Sequence, residues 1–373
     1  MKKGKRYLSR LVCICLFLQI LCNPISASEL EKQPLDGNTP VPNASNFISQ
    51  QTIGNKKVSS ISQVGLKRYR NILSKQNLSE SKINSEILES MGFNVTSMPQ
   101  EEIDYILSNA VDITVSESFI QVNQNGDMLE LSEAECMKKV SEELQERKVN
   151  KEMDKDTQDN IETSMGTLSN DGSNTETSAD GYMRIITAAY YISPASSGEK
   201  GWYNVSASYE WLITPNYRMI DAMSLYASNC AWSQSSNDYY SYFSYKERFV
   251  TTGGTQDVNY RTVSSNDRVI KTTGVYFTYD LPNDSGNVSW YRYSEFYFYM
   301  RGKVRISDFM NPRAFNVFSR YEHVYSSINV QPSFGWSSSD PYGVSANIGV
   351  SLVNNVDSFY SMCYVSYNPN IYK

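Results

Sequence analysis

Histidine is almost missing from this chain: His323 is the only one in 373 residues. That count excludes a three-histidine zinc centre, and the scattered cysteines offer no C-x-x-C spacing to replace it. A serine or cysteine hydrolase also needs a base beside its nucleophile. His323 sits in Tyr321-Glu322-His323-Val324-Tyr325 as an outward residue of a strand, and no G-x-S-x-G elbow accompanies any serine.

Cysteine is scarce too. Of six, Cys13, Cys15 and Cys22 lie in the leading segment, leaving Cys136, Cys230 and Cys363, an odd number that excludes a dense disulfide framework. Cys230 and Cys363 fall in the same region, where they either form a disulfide or pack as two buried thiols. No stretch beyond residue 21 approaches the roughly 20 consecutive apolar residues of a membrane helix. The chain ends Asn370-Ile371-Tyr372-Lys373, with neither a hydrophobic tail nor a sortase-type motif.

What the first residues do contain is an export signal. Lys2, Lys3, Lys5, Arg6 and Arg10 precede an apolar run from Leu11 to Leu21 broken only by Gln19, and Pro24 leads into Ile25-Ser26-Ala27. This reads as a signal peptide over residues 1–27, cleaved after Ala27. The residues before Cys22 and Cys13 are Leu21 and Val12, not the small residue a lipid anchor requires. The expected product is secreted, or held non-covalently at the cell surface. Without the signal, 29 basic residues face 40 acidic ones, a formal charge of −11. Such a chain is unsuited to sequence-independent nucleic-acid binding. The expected partner is an extracellular or cell-envelope ligand, and no motif points to a metal or cofactor.

Charge divides the remainder. Residues 28–180 carry 26 acids and 14 bases, whereas residues 181–373 carry 14 and 15. Residues 154–180, rich in Asp, Asn, Ser, Thr and Gly, read as a flexible linker, and residues 28–57, with Pro34, Pro40 and Pro42, as a disordered segment. Between them, residues 58–153 form a small acidic α+β module. Ser79 starts a helix with Ile83, Ile87, Leu88 and Met91 on one face, and Gly92 suits a left-handed C-cap. Ser97-Met98-Pro99-Gln100 reads as a capping box opening a second helix with Ile103, Ile106, Leu107 and Ala110 inward. A hairpin turns at Asn125-Gly126, and Ser132-Glu133-Ala134-Glu135 caps a charged helix with Cys136, Val140 and Leu144 on its apolar face. The Asn125 turn is not a calcium loop of the EF-hand type, since Ser132 stands where a bidentate Glu belongs.

Aromatic mass dominates residues 181–373, which hold 25 of the 28 tyrosines and all five tryptophans. Their spacing is two, not 3.6. Tyr203, Val205, Ala207, Tyr209 and Trp211 alternate with Asn204, Ser206, Ser208 and Glu210, giving one face to a core and one to water. Val344 to Leu352 alternates likewise. About ten such strands with turn residues between them predict an antiparallel β-sandwich or barrel-like domain.

The run Trp290 to Ile306 is the most suggestive. Phe296, Phe298, Met300, Val304 and Ile306 make an apolar face, and the odd positions Tyr291, Tyr293, Glu295, Tyr297, Tyr299 and Arg301 make a stripe of phenols and charges. If open to solvent, the stripe suits a sugar or a peptide, because flat aromatics give contact area with little entropy to lose. The alternative is cross-strand pairing with Tyr240, Tyr242 and Tyr245.

Three function classes follow. A non-catalytic binding module for a glycan, peptide or envelope partner leads. A β-hairpin pore former is the second, because Tyr342–Leu352 and Phe359–Tyr367 have about the strand length that spans a bilayer. A carboxylate-dependent glycan hydrolase is the third, with Glu210, Asp221, Glu295 and Glu322 as candidates whose separation decides the mechanism. The run Met91-Gly92-Phe93, Met98-Pro99-Gln100-Glu101-Glu102-Ile103 and Asp104-Tyr105-Ile106-Leu107, with Leu131-Ser132-Glu133 and Tyr209-Glu210-Trp211-Leu212, resembles uncharacterised secreted proteins of Gram-positive bacteria. That resemblance implies export and two regions, and no site residue.

Overall fold

The computed structural model of the chain describes residues 44–123, 128–158, 179–192, 201–214, 220–228, 230–251, 256–264, 269–271, 274–282, 289–306, 314–324 and 356–366. Chain order begins with β1 (Ile48–Ile53), β2 (Lys56–Ile61), α1 (Gln63–Ser74), α2 (Glu80–Ser90), α3 (Gln100–Asn109), β3 (Ala110–Asn123), β4 (Met128–Leu131) and α4 (Glu133–Gln158). It continues with β5 (Ala179–Ile192), β6 (Trp202–Ile213), β7 (Ile220–Ala227), β8 (Ala231–Trp232), β9 (Tyr240–Thr251) and β10 (Gln256–Ser264). The last elements are β11 (Val269–Lys271), β12 (Gly274–Asp280), β13 (Ser289–Arg305), β14 (Ala314–Val324) and β15 (Val356–Ser366).

The strands form two open antiparallel sheets, so the sandwich alternative holds and the closed barrel does not. One sheet of ten strands runs β1-β2-β3-β5-β6-β13-β9-β10, with β4 beside β3 and β8 beside β13; the other, of five, runs β11-β12-β7-β14-β15. Their facing sides share one apolar core, including Tyr209, Trp211 and Phe298 of the large sheet and Met223, Leu225, Phe277, Phe315 and Tyr321 of the small one. Several hydroxyls tie the two sheets together across this core, where a buried polar group gains most from a partner. The Tyr209 hydroxyl donates to the Ser224 and Arg320 carbonyls at 2.9 and 3.2 Å, and the Thr187 and Ser319 hydroxyls meet at 2.5 Å.

The opposite face of the large sheet is also covered, and this corrects the expectation of a wet side. Ile83, Ile87 and Leu88 of α2, Ile103, Ile106 and Leu107 of α3, and Leu66 and Tyr69 of α1 pack with Ile186, Ala188, Tyr190, Tyr242, Tyr297 and Tyr299. Asn204, Ser206 and Ser208 are therefore buried although their alternation was read correctly. Small hydroxyls suit a helix-covered face as well as a wet one, because they let helix side chains approach the sheet.

The proposed domain boundary is not where the charge changes. β3, from the acidic half, pairs along its length with β5, from the aromatic half. Residues Ala44–Lys373 are accordingly one unit. Ile48 to Lys57, expected to be disordered, is ordered as β1 and the start of β2. Asp154 to Gln158 extends α4, and Ala179 and Asp180 open β5, while the rest of the expected linker, 159–178, lies outside the described residues.

Local punctuation was mostly legible. The Ser79 hydroxyl caps α2 by accepting from Lys82 N–H. After α2, Gly92 adopts φ 103°, with Gly92 N–H donating to Glu89 and Phe93 N–H to Leu88, the paired bonds that close a helix through a left-handed glycine. Ser132 and Glu135 form the reciprocal capping box of α4, while Leu144, expected inward, is exposed. The capping box at Ser97 is absent: Pro99 is the N-cap of α3 and makes no side-chain cap bond, and Ser97 N–H instead donates to Asn94 Oδ1 at 3.2 Å.

Register sets the chemistry of the covered face. Arg184, Glu210 and Tyr297 form one cross-strand row, and Ala188, Ser206 and Arg301 form another. The helices answer with charge. Glu102, 3% exposed, accepts from Arg301 Nε at 2.6 Å and from the Tyr299 hydroxyl at 2.9 Å, and the Arg301 guanidinium lies 4.0 Å from the centroid of the Tyr105 ring. Arg184 likewise bonds Glu117 and the Gly92 carbonyl, with Glu210 at 3.5 Å. Removing one member of a buried pair strands the other charge, whereas replacing both does not. We therefore expect Arg301→Met or Glu102→Gln alone to lower unfolding free energy by about 3 to 5 kcal/mol in urea titrations, and the double variant to lose less than either. Additive losses would contradict the pairing.

Candidate functional site

The phenolic stripe does not lie on one face, because a β-bulge breaks it. Ser294 pairs with Lys246, but the next registered residue of β13, Tyr297, pairs with Ser244, so β13 carries one residue more than β9 over this interval. Glu295, at the break, has φ 55°, a left-handed conformation uncommon for a residue with a Cβ. The extra residue inverts the alternation. Tyr293 packs against the sandwich core and meets Tyr245 edge-on at 5.7 Å, whereas Tyr297 and Tyr299 turn under the helices.

Of the six stripe residues, Tyr297, Tyr299 and Arg301 are thus buried and serve helix docking. Tyr299 and Tyr297 pack against Tyr240 and Tyr242 at 6.2 and 6.4 Å, the cross-strand alternative foreseen for this stripe. Tyr293 is half-buried, and the side chain of Tyr291 lies outside the described residues. Among the described side chains of the stripe, only Glu295 is exposed.

Glu295 borders a groove of about 340 Å³ where the helical layer ends. Thr96, Ser97 and Met98 of the α2–α3 connection form one wall; Tyr242 and Ser244 of β9 and Tyr260 and Thr262 of β10 form the floor and far wall. Lys246 Nζ donates to Glu295 Oε1 at 2.6 Å and stands 5.4 Å from the Tyr260 ring centroid. The hydrogen bond to Glu295 holds the Lys246 pKa above its usual value. Tyr260 is 71% exposed, the largest such exposure among the described large hydrophobic residues. Among the described residues β10 is the last strand of the large sheet.

This collection offers an aromatic face, a ring of hydroxyls and one carboxylate. Sequence reasoning named Glu295 but not Tyr260 and Thr262, since β10 was not among the predicted strands; Lys246, on the predicted strand β9, carried no signal of its own. The signal was present in Val258, Tyr260 and Thr262, which alternate after the Gly253-Gly254 turn.

The other carboxylate candidates lie apart from the groove. Glu210 pairs with Arg184 and accepts from Asn94 Nδ2 at 2.6 Å; burial pushes its pKa up, opposed first by Arg184. Asp221 is buried on β7 and accepts from the Tyr321 hydroxyl at 2.7 Å. The side chains of Glu322 and His323 lie outside the described residues, although β14 carries both. Cys230 is a half-buried free thiol, its Sγ 3.5 Å from the Ala227 carbonyl, and the side chain of Cys363 lies outside the described residues. Of the expected pore hairpin, Tyr342–Leu352 also lies outside them, and the second strand, β15, pairs with β14. Among the described residues no group of His, Cys, Asp and Glu is placed to hold a metal, and no helix is long and apolar enough to cross a membrane.

No family model matches the chain, and no curated protein matches it in sequence. Among solved structures, the crystal structure of the RrgA Jo.In complex is similar at 8% identity over 40% of this chain and 81% of that chain, with a TM-score of 0.21, a level that carries no argument about function.

One half-buried acid outside the groove gives a pH prediction. Asp112, at the start of β3, accepts from Tyr191 N–H at 3.3 Å, yet desolvation pushes its pKa up to about 6. A raised carboxyl pKa stabilises the fold below the unfolded value near 4, and that contribution is lost as pH rises through about 6. Asp112→Asn should therefore stabilise the protein at pH 8 by on the order of 1–2 kcal/mol and leave it unchanged near pH 4, as read by denaturant melts at the two pH values.

Proposed function

We propose that the protein is exported and acts as a non-catalytic binding module whose contact surface is the groove at Glu295, and that its ligand is a glycan of the extracellular space or cell envelope. The observation that carries this reading is Tyr260, held largely in solvent beside Ser244, Thr262, Ser97 and the Glu295 carboxylate. A pyranose has a face of C–H groups and a rim of hydroxyls. An exposed phenol ring suits the first by stacking, and hydroxyls with a carboxylate suit the second by hydrogen bonding.

The bulge supports the assignment. A non-glycine residue in the left-handed region costs on the order of 1–3 kcal/mol and persists where surrounding structure holds it, commonly at ligand sites. Here that residue is the one that places a carboxylate in the groove. The lysine- and arginine-bearing leading segment supports export, as do the Gram-positive secreted proteins the sequence resembles. Hydrolysis by a carboxylate pair finds less support, because Glu295 is the only acid among the groove's described lining residues and that chemistry takes two.

Isothermal titration with purified envelope polysaccharides and soluble hexose oligomers tests the reading. Tyr260→Ala should weaken binding at least about tenfold, equivalent to 1.4 kcal/mol. Val64→Ser, at an exposed apolar residue of α1, should leave it unchanged. Equal affinity of Tyr260→Ala and the unaltered protein would remove the groove as the contact surface.

A further inference from the structure

Resting on that reading, the geometry points to a ligand with a positive charge: we propose that the groove selects amine-bearing sugar chains over neutral ones, and neutral ones over uronates. The sign is set by which partner of the Lys246–Glu295 pair faces the solvent. The two groups meet at 2.6 Å. Their exposures differ. The Lys246 side chain is 17% exposed and that of Glu295 58%. Lys246 is also occupied on a second side by the Tyr260 ring. An arriving ligand therefore meets the carboxylate, while the ammonium is tucked against the sheet.

A carboxylate has room for several donors, and Glu295 gives one position to Lys246. A protonated sugar amine takes another and forms a charge-assisted bond, which is roughly twice as strong as a neutral one. A uronate carboxylate meets like charge at the same place. The hydroxyls of Thr96, Ser97, Ser244 and Thr262 are indifferent to the sign, so discrimination falls on Glu295.

The test uses the full exported chain and three oligosaccharides of equal length, β-1,4-linked glucosamine, β-1,4-linked glucose and α-1,4-linked galacturonate, at pH 6, where the first is largely protonated and the last ionised. Titration should rank them in that order, with about tenfold between glucosamine and glucose at low salt, shrinking as ionic strength rises. Glu295→Gln keeps the side chain's shape and removes its charge; it should bind glucose oligomers within about twofold of the unaltered protein while abolishing the preference for glucosamine. Lys246→Met, which frees the carboxylate further, should widen that preference. Equal affinities, tighter galacturonate binding, or a glucosamine preference that survives Glu295→Gln would each overturn the inference while leaving the sugar reading standing. Failure of all three oligomers to bind would overturn the sugar reading, and the inference with it.

Discussion

The polar face of the large sheet is buried, and the structure depends on how that burial is made tolerable. A strand face of Asn204, Ser206, Ser208, Tyr299 and Arg301 is poor material for an interior, since each polar group taken from water must find a partner. The helical layer supplies partners and apolar mass together. Glu102 answers Arg301 and Tyr299; the Gly92 carbonyl and Asn94 answer Arg184 and Glu210. Around these, leucines and isoleucines of the helices fill the space over the tyrosine rings. Burial pushes the Glu102 carboxyl up, and the neighbouring guanidinium and phenol pull against it. Helices and sheet are consequently one structure, to which the acidic N-terminal half supplies both the helical layer and strands β1 to β4 of the large sheet.

The groove is a consequence of where that layer stops. α2 and α3 cover β5, β6 and the C-terminal half of β13, and their connection at Thr96–Met98 marks the rim. Beyond it, β9 past Tyr242 and β10 extend out from under the helices, and Tyr260 stays largely in solvent. The bulge falls at the same boundary. One added residue ends the helix-facing row at Tyr297, sends Tyr293 to the other side of the sheet, and leaves Glu295 in a conformation that aims it at Lys246. The groove thereby arises from a packing edge and a register change.

Much of this was legible in the sequence, and the misreadings have physical reasons. Period-two alternation identified most strands, and Ser79, Gly92 and Ser132 marked helix ends, because these are local constraints that each residue states for itself. The face of Ser206 and Ser208 was read as wet because a small hydroxyl is compatible with both water and a helix above it. The bulge was invisible because phenols occupy odd positions on both sides of Glu295, so the pattern runs through the break without a signal. The charge step near residue 180 suggested two domains, but charge reports on surfaces, whereas the pairing of β3 with β5 is a long-range event. Tyr260 was missed because its strand is short and polar, with Val258, Tyr260 and Thr262 alternating over too few residues to stand out.

The account is tested most directly by hydrogen–deuterium exchange of the full chain, followed by mass spectrometry of peptides from residues 63–109 and from β5, β6 and β13. If the covered polar face is what unites the structure, amides of α2 and α3 exchange together with those of the three strands, at one rate set by a common opening. Rapid exchange of the helices while the strands stay protected would contradict it, showing that the layer rests on the sheet without being part of it.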